Sequence, residues 1–282
     1  MRVFERLVAA LRGALPAPAE ALVQMRGGYQ LSLRPATDAL ERRMYNARTY
    51  EAATLALFDQ VLRAGDAVVD VGANLGLMTL HAARIVGSTG RVVALEPHPV
   101  YYARLVEHLI LNSCDNVRAL QVAAGATRAS APIYDFPAVN IGRSSLVSPG
   151  ADAKPASTVA VDTLDSILAG IGVGRVRLLK VDVEGFEAQV LAGASGVLSQ
   201  RPVICMEVSR TVSSGTDPLG AHDAIMDTGA YTAWNFRDGK GRPSPLVAVA
   251  DRQRLAAQED DNVIYIPHTE RNSLPTGLFA DD

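Results

Sequence analysis

The stretch Asp66-Ala-Val-Val-Asp-Val-Gly-Ala-Asn-Leu-Gly76 constrains the fold of this chain more than any other. Ala67 to Val71 is β-branched and apolar apart from Asp70, the composition of a parallel strand buried on both faces. Glycines at 72 and 76 mark a sharp turn, and Leu77 to Ile85 takes up an apolar helical pattern. Strand, glycine turn and helix make up the repeating unit of open α/β sheets, which bind nucleotide-like ligands outside the carboxyl ends of their strands.

The residues of the turn select among such ligands. A dinucleotide fingerprint, G-x-G-x-x-G, uses its middle glycine to admit a pyrophosphate to the backbone. Here the order is Gly72-x-Asn74-x-Gly76, with Asp70 two residues upstream. An anionic pyrophosphate would meet a side chain and a negative charge. S-adenosylmethionine has no phosphate and carries an ammonium and a sulfonium, which carboxylates attract. The turn therefore favours S-adenosylmethionine over a nicotinamide dinucleotide.

Further strands end in acids. Arg91-Val-Val-Ala-Leu-Glu96 is stopped by Pro97, and Glu96 lies twenty positions after Gly76, where α/β nucleotide folds place an acid on the ribose hydroxyls. Val176 to Asp182 is a second buried strand, followed by Glu184, Gly185 and a helix from Phe186 to Leu198, and Pro202 to Val208 is a third, finishing with Glu207. In a parallel sheet these ends adjoin, so Asp70, Asp182 and Glu207 are expected at one rim. The small turn Ala123-Ala-Gly125 has room for a flat adenine. Glu51 precedes the helical stretch Ala52 to Leu62 and reads either as a capping acid or as a ligand contact. Ala126 to Val159 carries four prolines and reads as a long binding loop, and Ser209 to Pro218 as a polar one. Val161 to Leu168 reads as a capped helix. Tyr231 to Phe236 and Asn262 to Pro267 are two more strands, of the type that closes a parallel sheet with an antiparallel edge.

The 282 residues suit one domain with an N-terminal extension. We expect an extension over 1–48, the main domain over 49–268 and a flexible polar tail over 269–282. A formal charge of −3, with dispersed charges, argues against a nucleic-acid binder. Cys114 and Cys205 match neither a metal spacing nor a disulfide framework, which suggests a reducing compartment. Glu5 and Arg6 interrupt the N-terminal apolar run early, against a secretory signal, and no segment approaches the roughly 18 apolar residues of a membrane span. The expectation is a cytoplasmic protein whose partner is a small-molecule or glycan hydroxyl acceptor, with homo-oligomers left open.

On these residues the chain resembles the FkbM family of S-adenosylmethionine-dependent methyltransferases. The resemblance is carried by Val69-Asp-Val-Gly-Ala-Asn-Leu-Gly76, Glu96-Pro-His-Pro99, Gly142-Arg-Ser-Ser-Leu146, Val161-Asp-Thr-Leu-Asp165 and Lys180-Val-Asp-Val-Glu-Gly-Phe-Glu187, and it spans about Tyr50 to Pro267. It implies a Rossmann-like class I methyltransferase fold: a seven-stranded, mostly parallel sheet with an antiparallel last strand and helices on both faces. It places Asp70, Gly72, Asn74 and Gly76 along the methionine part of the cofactor, Glu96 on the ribose and Asp182 at the reactive end. Glu51, Pro97 and Ala124 complete the candidate cofactor-binding set. Family members mostly look like O-methyltransferases acting on hydroxyls of sugars or natural products. Leu77 and Met78 stand where relatives often have an aromatic residue, and the first 45 or so residues are not covered.

An alcohol acceptor must lose a proton. Asp182 and Glu184 are the expected bases, with His222 a third candidate. Alternatively, Asp182 and Glu207 hold a divalent cation that acidifies the hydroxyl, and their oxygen ligands suit Mg2+ or calcium. Rival readings are a nicotinamide-dependent oxidoreductase and a non-catalytic protein that retains the cofactor pocket.

Overall fold

The computed structural model describes residues 16–135, 144–150, 152–208, 219–257 and 261–280. The chain begins with a hairpin, β1 (Ala21–Gln24) against β2 (Gln30–Leu33). Helix α1 (Ala39–Ala47) follows, capped by Asp38, whose carboxylate accepts from the Glu41 N–H at 2.9 Å. Strands and helices then alternate: α2 (Ala52–Val61), β3 (Ala67–Val71), α3 (Leu77–Val86), β4 (Arg91–Leu95), α4 (Pro99–Leu111) and β5 (Val117–Leu120). After β6 (Ala123–Ala124), β7 (Ala129–Asp135), β8 (Ser144–Ser145) and β9 (Ser157–Asp162), the alternation resumes with α5 (Leu164–Ile171), β10 (Val176–Val181), α6 (Glu187–Ala192), α7 (Ser195–Ser199) and β11 (Val203–Val208). The chain continues with α8 (Gly220–Met226), β12 (Tyr231–Phe236), β13 (Leu246–Ala248), α9 (Arg252–Ala257) and β14 (Asp261–Pro267).

The central sheet has the order β13-β12-β14-β11-β10-β3-β4-β5. β5, β4, β3, β10 and β11 run parallel, and β14 is antiparallel to both of its neighbours. This is the expected Rossmann-like sheet of seven strands, with the short β13 added as an eighth at the edge. The antiparallel strand is interior rather than marginal: β14 slots between β11 and β12, and Val263, Ile264 and Tyr265 are fully buried.

Alternate strand residues face two cores. Val68, Val92 and Leu178 pack with Leu57, Phe58 and Leu80, whereas Val69, Val71, Leu179 and Val181 pack with Val190 and Ile225. The first core also contains Leu31, Leu33 and Met44 of the N-terminal hairpin and α1. A buried ion pair, Arg104 to Glu41 at 2.7 Å, ties α1 to α4.

Several local expectations are corrected. The segment from Ala126 to Val159 is largely ordered as a second sheet, β6-β9-β7-β8, around Ile133, Val159 and Val161. Pro132 sits in β7 opposite Thr158, at a point where β8 does not yet pair, so a missing N–H is tolerated there. Residues 136–143 lie outside the described residues, as do residues 1–15, residue 151 and residues 209–218, where a polar loop was expected. The capped helix begins later than read, at Leu164, with Thr163 as N-cap and Val161 still in β9. The helix expected from Phe186 to Leu198 is two short helices parted at Gly193. Beyond His268, where a flexible polar tail was expected, Leu274, Leu278 and Phe279 are buried, and the Arg271 guanidinium lies 3.3 Å from the Phe279 ring centroid. Among the described residues, no helix is long and apolar enough to cross a membrane.

Candidate active site

The carboxyl ends of β3, β4, β10 and β11 open on a cavity of about 300 Å³. Its floor is the turn after β3. Gly72 has φ +82°, and a Cβ there would lie 1.9 Å from the Asp182 carbonyl oxygen, so only glycine lets the ends of β3 and β10 approach this closely. The N–H groups of Gly72 and Ala73 both donate to the Leu95 carbonyl, at 2.9 and 3.0 Å, which locks the turn to β4. Asn74 takes the left-handed conformation, and its N–H donates to Glu96 Oε2 at 2.7 Å. Glu96 Oε1 accepts from the His98 N–H at 2.8 Å. Burial pushes the Glu96 carboxyl up to about 7, against the pull of these two hydrogen bonds. Pro97, Ala123, Ala124 and Ile133 continue this wall of the cavity.

The opposite wall is charged. Asp182 and Glu207 lie on the same sheet face as Lys180, following the two-residue period of their strands, and Asp70 is the cross-strand partner of Lys180. The Lys180 ammonium, 4% exposed, donates to Asp182 Oδ2 at 3.0 Å and sits 3.7 Å from Asp70 Oδ1. Burial acts to raise the Asp182 carboxyl, but Lys180 and Lys240 outweigh it and hold that group below the usual range. Glu207 moves the other way, well above its ordinary value, because it is buried and faces Asp182, with Lys240 opposing. Lys240, in the β12–β13 connection, reaches Glu207 Oε1 at 2.5 Å and Glu51 Oε1 at 3.2 Å.

The structure brings together most of the candidates and sets three apart. Gly72, Asn74, Glu96, Pro97, Ala124, Asp182, Glu184, Glu207 and Glu51 all line the cavity. Glu51 occupies the N-cap position of α2, but its side chain makes no cap bond and instead accepts from Asn262 Nδ2 at 2.9 Å and Thr54 Oγ1 at 3.2 Å. Asp70 does not face the cavity. It is 1% exposed, its Oδ2 accepts from Thr79 Oγ1 at 2.6 Å, and its charge is directed at Lys180 rather than at a ligand. The electrostatic role expected of it at the rim is therefore not supported by its position. Gly76 also lies off the cavity and serves the turn, with φ +86°, as the residue that heads α3. His222 is the third: it is buried on α8, its Nδ1 is 3.0 Å from the Tyr265 hydroxyl, and it does not line the cavity.

Sequence reasoning missed both lysines. Lys180 had a legible signal, since it precedes Asp182 by two on one strand and so shares its face. Lys240 had none, because its partners are 33 and 189 positions away in the chain. Leu40, Arg43 and Met44 of α1 form another unforeseen wall, with Tyr50 beside them.

The cavity fits S-adenosylmethionine in its donor set. Glu96 keeps free lone pairs for a diol after accepting two N–H bonds, and the Gly72 turn forms a cradle that a Cβ would close. It does not fit the expected Mg2+ ion as it stands. The carboxylates of Asp182, Glu184 and Glu207 have oxygens within 4.8 Å of one another, but Lys180 already holds Asp182 and Lys240 already holds Glu207.

Comparisons with known proteins identify the family. The model of the methyltransferase FkbM domain matches residues 70–242. The chain is 31% identical over 223 residues to the 31-O-demethyl-FK506 methyltransferase FkbM of Streptomyces tacrolimicus, covering 70% of this chain and 82% of that one. It is 32% identical over 155 residues to methyltransferase sdnD of Sordaria araneosa, covering 45% of this chain and only 59% of the relative's length. The crystal structure of methyltransferase FkbM from Methylobacillus flagellatus KT superposes with a TM-score of 0.46 at 16% identity, over 79% of this chain and 52% of that one. With more than half of its 282 residues matched by the family model, the chain belongs to the FkbM methyltransferase family.

Proposed function

We propose that this chain is an S-adenosylmethionine-dependent O-methyltransferase acting on a hydroxyl of a sugar, glycan or natural product. The observation that carries the reading is that one cavity joins a nucleoside-type wall, Asn74 and Glu96, to a wall of carboxylates, Asp182, Glu184 and Glu207. When bound, the cofactor supplies an electrophilic methyl group on a sulfonium. The chain's own residues then have two tasks. Glu96 and the Gly72–Asn74 turn fix the nucleoside end, so that the acceptor oxygen is brought into line rather than found by diffusion. The carboxylates at the ends of β10 and β11, Asp182, Glu184 and Glu207, line the cavity, and in this reading they are the groups that take the proton of an acceptor hydroxyl.

The acceptor end of the cavity is walled by Leu40, Met44, Tyr50 and Met78, with Arg43 at α1, and this favours an acceptor with an apolar body. The name of the Streptomyces relative supports a natural-product hydroxyl. A nicotinamide cofactor is disfavoured because its pyrophosphate would meet the Asn74 side chain and the Glu96 carboxylate.

The test is titration calorimetry with S-adenosylhomocysteine and, separately, NADH, followed by an assay of S-adenosylhomocysteine release with 31-O-demethyl-FK506 and a panel of sugar and macrolide alcohols. Binding of the thioether nucleoside alone, with turnover on at least one alcohol, is the expected outcome. Binding of NADH instead would establish the oxidoreductase. Nucleoside binding with every alcohol refused would favour a non-catalytic protein.

A further inference from the structure

The carboxylate cluster has the spacing of a cation site and already contains cations of its own. Oxygens of Asp182, Glu184 and Glu207 lie within 4.8 Å of one another. The Lys240 ammonium sits 2.5 Å from Glu207 Oε1 and 3.2 Å from Glu51 Oε1. Its place is fixed from the backbone as well, because the Ala53 N–H at the start of α2 donates to the Lys240 carbonyl at 3.1 Å. Glu51 is held in turn by Asn262, the cross-strand neighbour of Glu207. Lys240 therefore cannot leave without stranding two buried carboxylates.

Glu207 has one engaged oxygen and one open one. Oε1 is taken by Lys240, whereas Oε2 is buried with no hydrogen-bond partner among the described residues, on a side chain that lines the cavity. Asp182 already gives Oδ2 to Lys180. A buried acceptor atom without a partner, on a side chain that lines a cavity, marks where a ligand's donor belongs.

We propose that Lys240 holds the position a divalent cation would take, and that Glu207 Oε2 receives the proton of the acceptor hydroxyl, so that methyl transfer needs no metal. The proposal rests on the O-methyl reading given above. As the acceptor oxygen bonds to the methyl carbon, its O–H bond breaks toward Glu207, which receives the proton in its ionised form. The carbon–sulfur bond breaks with its electron pair left on sulfur, and the proton then passes from Glu207 to water. Glu207 is the catalytic residue in this scheme, and Lys240 is a positioning residue that acts through it.

The experiment has two arms. Manganese binding is followed by electron paramagnetic resonance on the wild type, on Lys240→Met and on Glu207→Gln, without any acceptor. The wild type is expected to leave Mn2+ free at millimolar concentrations. Tight binding that is lost in Glu207→Gln would overturn the proposal. In the second arm, turnover on whichever alcohol the wild type accepts is measured with and without EDTA. The expected results are no EDTA effect and a fall in kcat of at least about 10²-fold in Glu207→Gln, the scale of a lost general base, with KM and S-adenosylhomocysteine affinity within threefold of wild type. Lys240→Met should lower kcat in the same way, and Lys240→Arg should recover part of it, which a merely structural role would not produce at constant melting temperature. Loss of activity in EDTA restored by Mg2+, or full kcat in Glu207→Gln, would refute the scheme. If every alcohol is refused, the O-methyl reading fails, while the manganese arm still decides which cation the cluster holds.

Discussion

Replacing Lys180 with methionine tests the electrostatics under the cavity. The side chain is 4% exposed and lies 3.0 Å from Asp182 and 3.7 Å from Asp70, which is itself 1% exposed. Methionine keeps most of the volume, so the change is chiefly one of charge. Breaking a buried pair by removing one partner costs about 3–5 kcal/mol, because the remaining ion stays desolvated. The size of the loss depends on pH. Burial already raises the Asp70 carboxyl above its usual range, with Lys180 the main opposing influence, so the variant raises it further. A carboxyl whose folded pKa exceeds its unfolded one costs stability when ionised, above the folded value, and ceases to cost as pH falls through that value. The deficit should therefore be full at pH 8, roughly 6–20 °C in Tm at about 2–4 °C per kcal/mol, and should shrink at pH 5.5. Urea and thermal unfolding at both pH values measure it, and adding Asp70→Asn should restore part of the stability at pH 8. An equal loss at both pH values, or no recovery from Asp70→Asn, would refute the view that Lys180 is there to neutralise buried carboxylates.

Other outcomes follow from the same geometry. Gly72→Ala forces a positive φ on a residue with a Cβ and drives that Cβ into the Asp182 carbonyl, so a loss of at least about 2 kcal/mol and weakened S-adenosylhomocysteine binding are expected, read by unfolding and calorimetry. Glu187 accepts from the Gly185 and Val183 N–H groups, and its burial pushes its carboxyl from an ordinary 4.5 to about 7. Because the folded state then binds the extra proton, Glu187→Gln should stabilise the protein by up to about 3 kcal/mol above pH 7 and by almost nothing below pH 4.5, measured by urea unfolding. Glu96, also near 7, accepts ribose hydroxyls best as a carboxylate, so S-adenosylhomocysteine affinity should weaken as pH falls from 8 to 6, and Glu96→Ala should abolish that dependence.

Much of the architecture was legible because it rests on local rules. A β-branched run ended by Gly72 can hardly be anything but a buried strand entering a turn, and Glu96 is placed by the length of one strand-helix unit. The second sheet was hidden because Pro132 masks a strand whose exposed edge tolerates it. Asp70 and His222 were misjudged for a different reason. The sequence shows that Asp70 ends a strand, but the register sets it level with Lys180, two residues below Asp182, where it is buried against Thr79 rather than at the rim. His222 is one helix away from the cavity, against Tyr265.

By itself, then, the chain's order of residues determined its strand-helix alternation, the glycine turn and the row of acids at the strand ends, since each depends on neighbours within a few positions. Only the tertiary structure decided which acids face the cavity and what neutralises them. Lys240 meets Glu51 and Glu207 solely because β14 inserts beside β11 and carries the β12–β13 connection over the site. A pairing between residues so distant in the chain leaves no periodic trace, because its energy comes from burying charges together and not from any local propensity.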